Sequence, residues 1–592
     1  MIAEVVPIDG NRERPGPTRL ADGCTRFALW APSIDSVSLE FQGAPQQLMR
    51  AAGNGWFALE TAAAAGARYR FRLADGTSVP DPASRAQSGC VHDWSVVVDP
   101  AAFAWRHTAW RNRPWHEAVI YEVHAGAAGG FNGLRQRLAG LAELGFTAIE
   151  LMPVADFPGA RNWGYDGVLP YAPDAAYGTP DELRALVDAA HGLDLMVLLD
   201  VVYNHFGPDG AYLHGFARPF FDPDVHTAWG AAIDFTRPEV RDFFIGNALM
   251  WLNEYRFDGL RFDAVHAISP PEFLPEMAAA IRAGAVRDVH LVLEHEGNMA
   301  SLLRASPRAA GYDAQWSDDF HHCLHVLLTG ESEGYYGGFQ NPAAQLARAL
   351  AEGFVYQGEI PPGHTAPRGE PSAHLPPTAF VICLQNHDQI GNRAFGDRLT
   401  ALADPQGLRA ATTLLLLSPF IPLLFMGEEW GTRTPFLFFT DHNAELAPLV
   451  RDGRRREFRH FAAFQDEAVR ARIPDPNDPA TYRASIPDPA ESATPPHTGI
   501  LHLHRTLLHI RANRIMPGIP GCRSLGARAV GDRAVHAAWL LGTGSTLTLQ
   551  SNFGTSPIDA ACPPGKLLFT STPAEGPILP AACTRAFLES NL

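Results

Sequence analysis

The chain almost lacks lysine. Of its 47 Lys and Arg residues only Lys566 is a lysine, and it lies outside any glycine-rich phosphate loop. Phosphoryl transfer of the P-loop or kinase type needs such a lysine at the phosphates, and pyridoxal phosphate needs one for its Schiff base. The composition therefore argues against these chemistries.

Basic charge is also scarce overall. The 64 Asp and Glu residues outnumber the basic ones and give a formal net charge of −17. Nucleic acids and anionic membranes are bound through clustered Lys and Arg. We predict neither nucleic acid nor membrane as a partner, and both a monomer and a homodimer stay open.

Paired cysteines and long apolar runs are missing too. The seven cysteines are an odd number and form no CxxC pair, which favours free thiols in a reducing cytoplasm. The N-terminal segment has no apolar core of a secretory signal, and the longest apolar run, 414 to 426, is broken by Ser418, Pro419 and Pro422. Secretion and membrane spanning are not expected. No metal site and no cofactor is predicted.

The pattern of apolar residues predicts three domains, in line with a chain of 592 residues. Short alternating strands between 24 and 80 indicate an immunoglobulin-like β-sandwich over residues 1–105. A closing antiparallel β-domain is expected over 519–592. Between them, over 106–518, eight apolar runs alternate with helical segments and predict a (β/α)8 barrel. The runs are 118–124, 146–153, 195–202, 258–265, 289–295, 312–316, 379–385 and 421–429.

Two stretches with little periodicity, 206–237 and 358–377, are predicted as inserted loops of this barrel. Long loops at strand ends usually shape a functional site.

Charged residues gather where the predicted barrel strands end. These are Asp200, His205, Arg261, Asp263, Glu294, His387 and Asp388. The carboxyl ends of barrel strands open into one common mouth, so these side chains are expected to converge. An Asp at one strand end is usually a turn or helix cap. Coincidence at four strand ends favours a site instead.

Cleavage of a glycosidic bond requires this set. One carboxylate attacks the anomeric carbon while a protonated carboxyl donates to the leaving oxygen. Arg261 and Asp263 share a strand face, since side chains alternate with a period of two, and the guanidinium should favour an ionised Asp263. The proton on Glu294 is inferred from the reaction.

Four segments at these positions resemble the signature segments of the α-amylase family of glycoside hydrolases. They are DVVYNH (200 to 205), GLRFDAVH (259 to 266), LVLEHEG (291 to 297) and QNHDQIGNR (385 to 393). The resemblance implies that Asp263 is the nucleophile, Glu294 the general acid and base, and Asp388 the third carboxylate.

The same resemblance implies further substrate-binding residues. Arg261, His205 and His387 would contact the nucleophile or the sugar, Asp200 would support His205, and Tyr165 would lie under the sugar as an aromatic platform. Trp163, His266, Asp319 and Arg393 complete the predicted set. Asp318 and Asp319 could equally cap the helix that begins near Phe320.

Finer likeness within the family, in WSDDFHH (316 to 322) and FTDHNAEL (439 to 446), implies a more specific reaction. It is retaining hydrolysis of the α-1,4 bond between a maltooligosaccharide and a terminal trehalose. Two alternatives remain: a branching or debranching enzyme acting on α-1,6 linkages, and a non-catalytic α-glucan-binding protein.

Overall fold

A computed structural model describes residues 13–227, 230–304, 311–573 and 576–590. The predicted first domain, 1–105, thus begins with twelve residues outside the described part. Two residues of the predicted loop 206–237, at positions 228 and 229, also lie outside the described part.

The N-terminal unit is the predicted sandwich of two antiparallel sheets. One has the spatial order Gly16–Arg19, Thr25–Trp30, Trp56–Thr61, Arg50–Gly53. The other has the order Gln47–Leu48, Val37–Phe41, Arg68–Leu73, Ser78–Val79, with Ser95–Val96 also paired to Arg68–Leu73. Alternate side chains such as Phe27, Leu39 and Phe71 are fully buried between the sheets, as expected for strands with one face on a core.

All eight predicted barrel runs form strands of one closed parallel barrel. Its strands in order are Ile120–Val123, Ala148–Leu151, Met196–Val201, Gly259–Phe262, His290–Leu293, Ala314–Trp316, Phe380–Cys383 and Ile421–Phe425. Apolar side chains such as Ile120, Leu198 and Val292 pack together between these strands. The (β/α)8 fold class is confirmed.

Helices surround the barrel where the sequence shows helical periodicity. The longer ones are Gly130–Leu144, Pro180–His191, Pro238–Asn253, Phe273–Gly284, Asp318–Thr329, Pro342–Glu352, Pro405–Leu417, Leu446–Glu457 and His497–Ile510. Shorter ones are Leu213–Phe216, His387–Gly391, Leu399–Leu402, Glu467–Arg470 and Pro479–Ala484. Pro180–His191 begins with a capping box of Thr179 and Glu182 and has proline at its first position.

The first predicted loop is more ordered than its sequence indicates. Residues Phe221–Thr227 pair antiparallel with Gly230–Ile233 after the helix Leu213–Phe216. Strand alternation is hidden here because aspartate and proline interrupt it. A second small hairpin, Ala155–Asp156 with Leu169–Pro173, precedes the helix Pro180–His191. The loop 358–377 contains only an isolated bridge between Glu359 and Arg368.

The C-terminal unit is an antiparallel sheet, as predicted. Its spatial order is Arg523–Ala529, Ala534–Leu540, Thr546–Asn552, Cys583–Glu589, Lys566–Thr570, with a small pair Ile558–Asp559 and Ile578–Leu579 beside it. The sheet packs on barrel helices, and Thr584 Oγ1 donates to the carbonyl of Ala410. The exact domain boundaries at 105/106 and 518/519 stay predictions.

Two further expectations concern the cysteines and membrane-spanning helices. All seven cysteines are free thiols. Within the described ranges, no helix is long and apolar enough to cross a lipid bilayer.

Candidate active site

Asp263 follows the fourth barrel strand and is held from two sides. Arg261 Nη1 donates to its Oδ1 over 3.0 Å, and Asn204 Nδ2 donates to its Oδ2 over 2.8 Å. Burial raises the pKa of Asp263 above its ordinary value, although Arg261 lowers it. The predicted influence of Arg261 therefore acts in the expected direction but is outweighed by desolvation.

Glu294 follows the fifth strand and shares the same arginine. Arg261 Nη2 forms an ion pair with Glu294 Oε2 at 2.8 Å, and the backbone N–H of Ala264 donates to the same oxygen over 2.8 Å. Burial, together with the charges of Asp263 and Asp388, raises the pKa of Glu294 to about 7 against the effect of Arg261. A carboxyl with this pKa carries its proton near neutral pH, as a general acid must.

Asp388 lies on the short helix His387–Gly391 directly after the seventh strand. Its Oδ1 is 3.2 Å from Asn392 Nδ2 and 3.4 Å from His387 Nε2. Burial alone would raise the pKa of Asp388, but the charge and hydrogen bond of His387, the charge of Arg261 and the hydrogen bond from Asn392 together lower it below its ordinary value. With 36% of its side chain exposed, compared with 12% for Asp263 and 22% for Glu294, it is the most open of the three carboxylates.

A chain of hydrogen bonds runs across the mouth behind these carboxylates. Tyr165 Oη donates to Asp200 Oδ2 over 2.6 Å and lies 2.8 Å from His387 Nε2. Arg261 Nη1 donates to the same Asp200 oxygen over 2.7 Å. Residues that were predicted from separate strands are thus brought into one polar network.

The role assigned to Asp200 needs correction. The hydrogen bonds of its carboxylate go to Tyr165 and Arg261 rather than to His205. His205 instead places Nε2 2.9 Å from the carbonyl of Tyr165 and Nδ1 against Asn204. Asp200 therefore orients Arg261, which in turn contacts both Asp263 and Glu294.

Comparisons with known proteins agree with this geometry. A family model described as "Alpha amylase, catalytic domain" matches residues 70–220, and one described as "Domain of unknown function (DUF3459)" matches 522–587. The malto-oligosyltrehalose trehalohydrolase of Deinococcus radiodurans is 43% identical over 84% of this chain and 83% of its own length. That of Rhizobium sp. (strain M-11) is 38% identical over 93% and 95%. The chain belongs to the malto-oligosyltrehalose trehalohydrolase family.

Solved structures show the same architecture. A crystal structure of a Salmonella typhimurium protein, described as a candidate alpha amylase, is 42% identical, has a TM-score of 0.93 and covers 98% of this chain and 100% of its own. A pullulanase from Anoxybacillus sp. LM18-11, complexed with maltotetraose, has a TM-score of 0.70 at 18% identity and covers 98% and 88%. The second likeness shows the fold alone. As a member of the trehalohydrolase family within the alpha-amylase fold, the chain is a glycoside hydrolase.

Two predicted substrate-binding residues of this trehalohydrolase family member are buried instead. Trp163 is 4% exposed, donates from Nε1 to the carbonyl of Leu437 and stacks on Phe436. Asp319 has no exposed surface and accepts hydrogen bonds from Asn298 Nδ2 and the backbone N–H of Val355. The hydrogen bonds of both side chains go to other protein groups. Their contact with substrate stays a prediction.

Asp318, directly before Asp319, is the more exposed of these two neighbouring aspartates. It is the first residue of the helix Asp318–Thr329, is half-buried, and accepts a hydrogen bond from Gln389 Nε2 over 3.1 Å. Burial, with Glu294 and Asp388 next in order, raises the pKa of Asp318 to about 7. The double Asp of WSDDFHH is the sequence signal. Periodicity alone does not show which of the two faces the mouth.

The remaining two predicted residues lie further from the three carboxylates' hydrogen-bond network. His266 Nε2 is 3.8 Å from Glu296 Oε2, and a third of the His266 side chain is exposed. Arg393 forms a two-pronged ion pair with Glu331, with distances of 2.7 and 2.8 Å. Their contact with substrate stays a prediction.

Sequence reasoning missed Glu122, the next-to-last residue of the first strand. Its Oε2 accepts a hydrogen bond from the backbone N–H of His387 over 3.1 Å, and its Oε1 contacts His387 Nδ1. The available signal was a carboxylate near the carboxyl end of an otherwise apolar barrel strand.

Proposed function

We propose that the chain is a retaining hydrolase that cleaves the α-1,4-glucosidic bond joining a maltooligosaccharide to a terminal trehalose and releases trehalose. The observation that supports it best is that two partly buried carboxyls contact one arginine, although the reaction needs one of them ionised and the other protonated. Arg261 contacts Asp263 through one terminal nitrogen and Glu294 through the other. Retaining enzymes need their two carboxyls about 5 to 5.5 Å apart, and a shared guanidinium is consistent with such close spacing.

The first step forms a covalent intermediate. Ionised Asp263 attacks the anomeric carbon of the glucosyl unit while Glu294 donates its proton to the leaving oxygen, and trehalose departs. Arg261 and Asn204 orient the attacking carboxylate. Asp388, the most open carboxylate, binds sugar hydroxyls and stabilises the positive charge that develops on the ring.

The second step regenerates the enzyme. Ionised Glu294 takes a proton from water, which attacks the same carbon and releases Asp263. The maltooligosaccharide leaves with the α configuration, because two inversions restore it. Glu294 is protonated again and ready for another turnover.

The substrate class follows from the family. The relatives named malto-oligosyltrehalose trehalohydrolase align over most of their length, and the chain retains all three carboxylates. The acidic surface also suits a neutral polyol substrate. We propose the cytoplasm as its compartment, in line with seven free cysteines.

Product analysis tests the proposal. Incubation with maltotriosyltrehalose should release trehalose and maltotriose, and linear maltodextrin of the same length should be cleaved far more slowly. Release of glucose alone would contradict the trehalose specificity. Cleavage of pullulan, or a changed iodine stain with amylose, would favour an α-1,6-acting enzyme.

The mechanism has its own variant test. Glu294→Gln should lower kcat by about 10² to 10⁴, the usual contribution of general acid–base catalysis, while the substrate still binds. Turnover of Glu294→Gln within a few-fold of the unmodified enzyme would show that the acid is assigned wrongly.

A further inference from the structure

Glu122 is a buried carboxylate that joins the first barrel strand to the seventh. It is 1% exposed, and both of its oxygens face His387: one contacts the ring Nδ1 and the other accepts from the backbone N–H over 3.1 Å. The two residues are 265 positions apart in sequence. Such a two-point contact fixes both the ring and its backbone.

Counting protons around His387 indicates that its ring is charged. Asp200 is ion-paired to Arg261, and its carboxylate accepts hydrogen bonds from both Arg261 and Tyr165. The single hydroxyl proton of Tyr165 is therefore the one donated to Asp200. The hydroxyl of Tyr165 must therefore accept a proton from His387 Nε2, which lies 2.8 Å away. His387 Nδ1, which faces Glu122, carries the second proton. An imidazole that donates from both nitrogens is a cation.

The surroundings of the ring fit this assignment. The titratable groups near His387 are Glu122, Asp388, Tyr165, Asp200, Glu150 and His124. Burial lowers the pKa of His124, which keeps that ring neutral. The carboxylates of Asp388 and Glu122 raise the pKa of His387 well above its ordinary value, against the effect of burial.

Glu150 provides an internal comparison. It pairs in register with Glu122 on the neighbouring strand and is equally buried, but neither of its oxygens has a hydrogen-bond partner among the residues that the structure describes. Burial, and next the charge of Glu122, raise the pKa of Glu150 well above its ordinary value. Of these two adjacent carboxyls, Glu122 is the one that contacts His387, so it is the one placed to balance the charge of that ring.

We propose that Glu122 is a positioning residue that holds His387 as a doubly protonated cation, directed at Tyr165 and Asp388. This inference rests on the proposed function, because it assigns how one group of that site is oriented. Through His387, which lies 3.4 Å from Asp388 Oδ1, Glu122 keeps Asp388 ionised where it meets the sugar.

Glu122→Gln tests the charge with little change in shape. We expect kcat on maltotriosyltrehalose to fall about 10- to 100-fold, as is typical when a charge-assisted hydrogen bond is lost, with KM changed less than threefold. Without the cation, the pKa of Asp388 should rise from its lowered value to above that of Asp263, so the acidic limb of the kcat/KM profile should move to higher pH. Glu122→Asp, which restores the charge, should return that limb toward its original position.

Glu150→Gln is the matched control. Glu150 is a buried carboxyl directly beside Glu122 on the neighbouring strand, and no described residue hydrogen-bonds to its oxygens. The kcat and the acidic limb of Glu150→Gln should therefore match those of the unmodified enzyme. Unchanged kcat and an unmoved limb in Glu122→Gln would overturn the inference. Equal losses in both variants without a limb shift would also overturn it, since they would indicate a merely structural role. Failure of the proposed function would be seen separately, as absence of trehalose release by the unmodified enzyme.

Discussion

At the scale of single residues, carboxyls that lie close together in the site have different pKa values. Burial with negative neighbours raises the pKa of Glu294 to about 7, whereas the charge of His387 lowers the pKa of Asp388. Asp318 adds a further carboxyl whose pKa is raised to about 7. One group can thus hold a proton while its neighbour carries a charge, which both steps of the reaction require.

The pH profile should report these differences. Glu294 must be protonated to donate, so kcat/KM should fall as pH rises through about 7, where the free enzyme loses that proton. Asp318→Asn removes a carboxyl that interacts with Glu294. The pKa of Glu294 should then decrease, and the alkaline limb should move to lower pH by up to about one unit.

Initial rates with maltotriosyltrehalose between pH 4 and 9 would measure both limbs. Asp452→Asn, which changes an exposed carboxyl on the helix Leu446–Glu457, should leave the limb in place. An alkaline limb that stays fixed in Asp318→Asn would show that Asp318 does not tune the acid.

At the scale of elements, one short helix supplies two site residues. His387–Gly391 is capped by Asn386, whose side chain accepts from the backbone N–H groups of Asp388 and Gln389. Gln389 completes the capping box and also donates to Asp318. A single turn of helix therefore sets the positions of His387, Asp388 and Asp318 relative to the seventh strand.

Removing the cap of the helix His387–Gly391 should lower the catalytic rate more than it lowers the stability of the fold. Asn386→Ala leaves two N–H groups without their acceptor and should cost about 1 kcal/mol of stability. Because a displacement of about 1 Å can cost about 100-fold in rate, we expect kcat to drop about 10- to 100-fold.

Thr179→Ala serves as the comparison, since Thr179 forms the same kind of capping box on the exposed end of Pro180–His191. It should lose similar stability in urea denaturation with kcat nearly unchanged. Equal kcat values for the two variants would show that the cap of His387–Gly391 has no special importance for catalysis.

At the scale of the whole molecule, the last barrel helix leads into the C-terminal sheet through a π-helical turn, Arg511–Ile515. Arg511 is fully buried, and no carboxylate in the described part of the chain forms an ion pair with it. Its guanidinium donates instead to the carbonyls of Leu416, Ser418 and Phe420. These carbonyls lie at the end of Pro405–Leu417, the helix on which the C-terminal sheet packs. One side chain thus ties the link between domains to the barrel.

Arg511→Leu should be strongly destabilising. Three buried carbonyls would lose their donor, and each hydrogen bond to a charged group contributes about 1.5 to 3 kcal/mol, so we expect a loss of at least about 3 kcal/mol in the free energy of unfolding. Arg514→Leu, in the same turn but exposed, should change it by less than about 0.5 kcal/mol. Equal denaturation midpoints for the two variants would contradict the role of Arg511.

Much of the fold could be predicted because its signals are local. Eight apolar runs separated by helical periodicity predict eight strands, since each strand buries both faces in a parallel barrel. The hairpin Phe221–Thr227 with Gly230–Ile233 was missed, because its residues carry polar side chains with no clear alternation.

The site could be predicted only in part. Asp263, Glu294 and Asp388 follow the fourth, fifth and seventh strands of the pattern, so their convergence follows from the topology of the barrel. Trp163 and Asp319 have the right residue types beside the right motifs, but the structure buries both, so their contact with substrate stays a prediction. Asp318 is more exposed than Asp319, which depends on where the helix Asp318–Thr329 begins.

The sequence by itself determined the order of the domains, the barrel and the three carboxylates at its strand ends, because these follow from the spacing of residues along the chain. Only the tertiary structure decided how the pKa values of these carboxyls differ and which side chains contact one another at the mouth of the barrel. The contact of Glu122 with His387, the shared Arg261 and the raised pKa of Glu294 all depend on distances through space between residues that are far apart in sequence. Burial and charge act over those distances, and no local pattern records them.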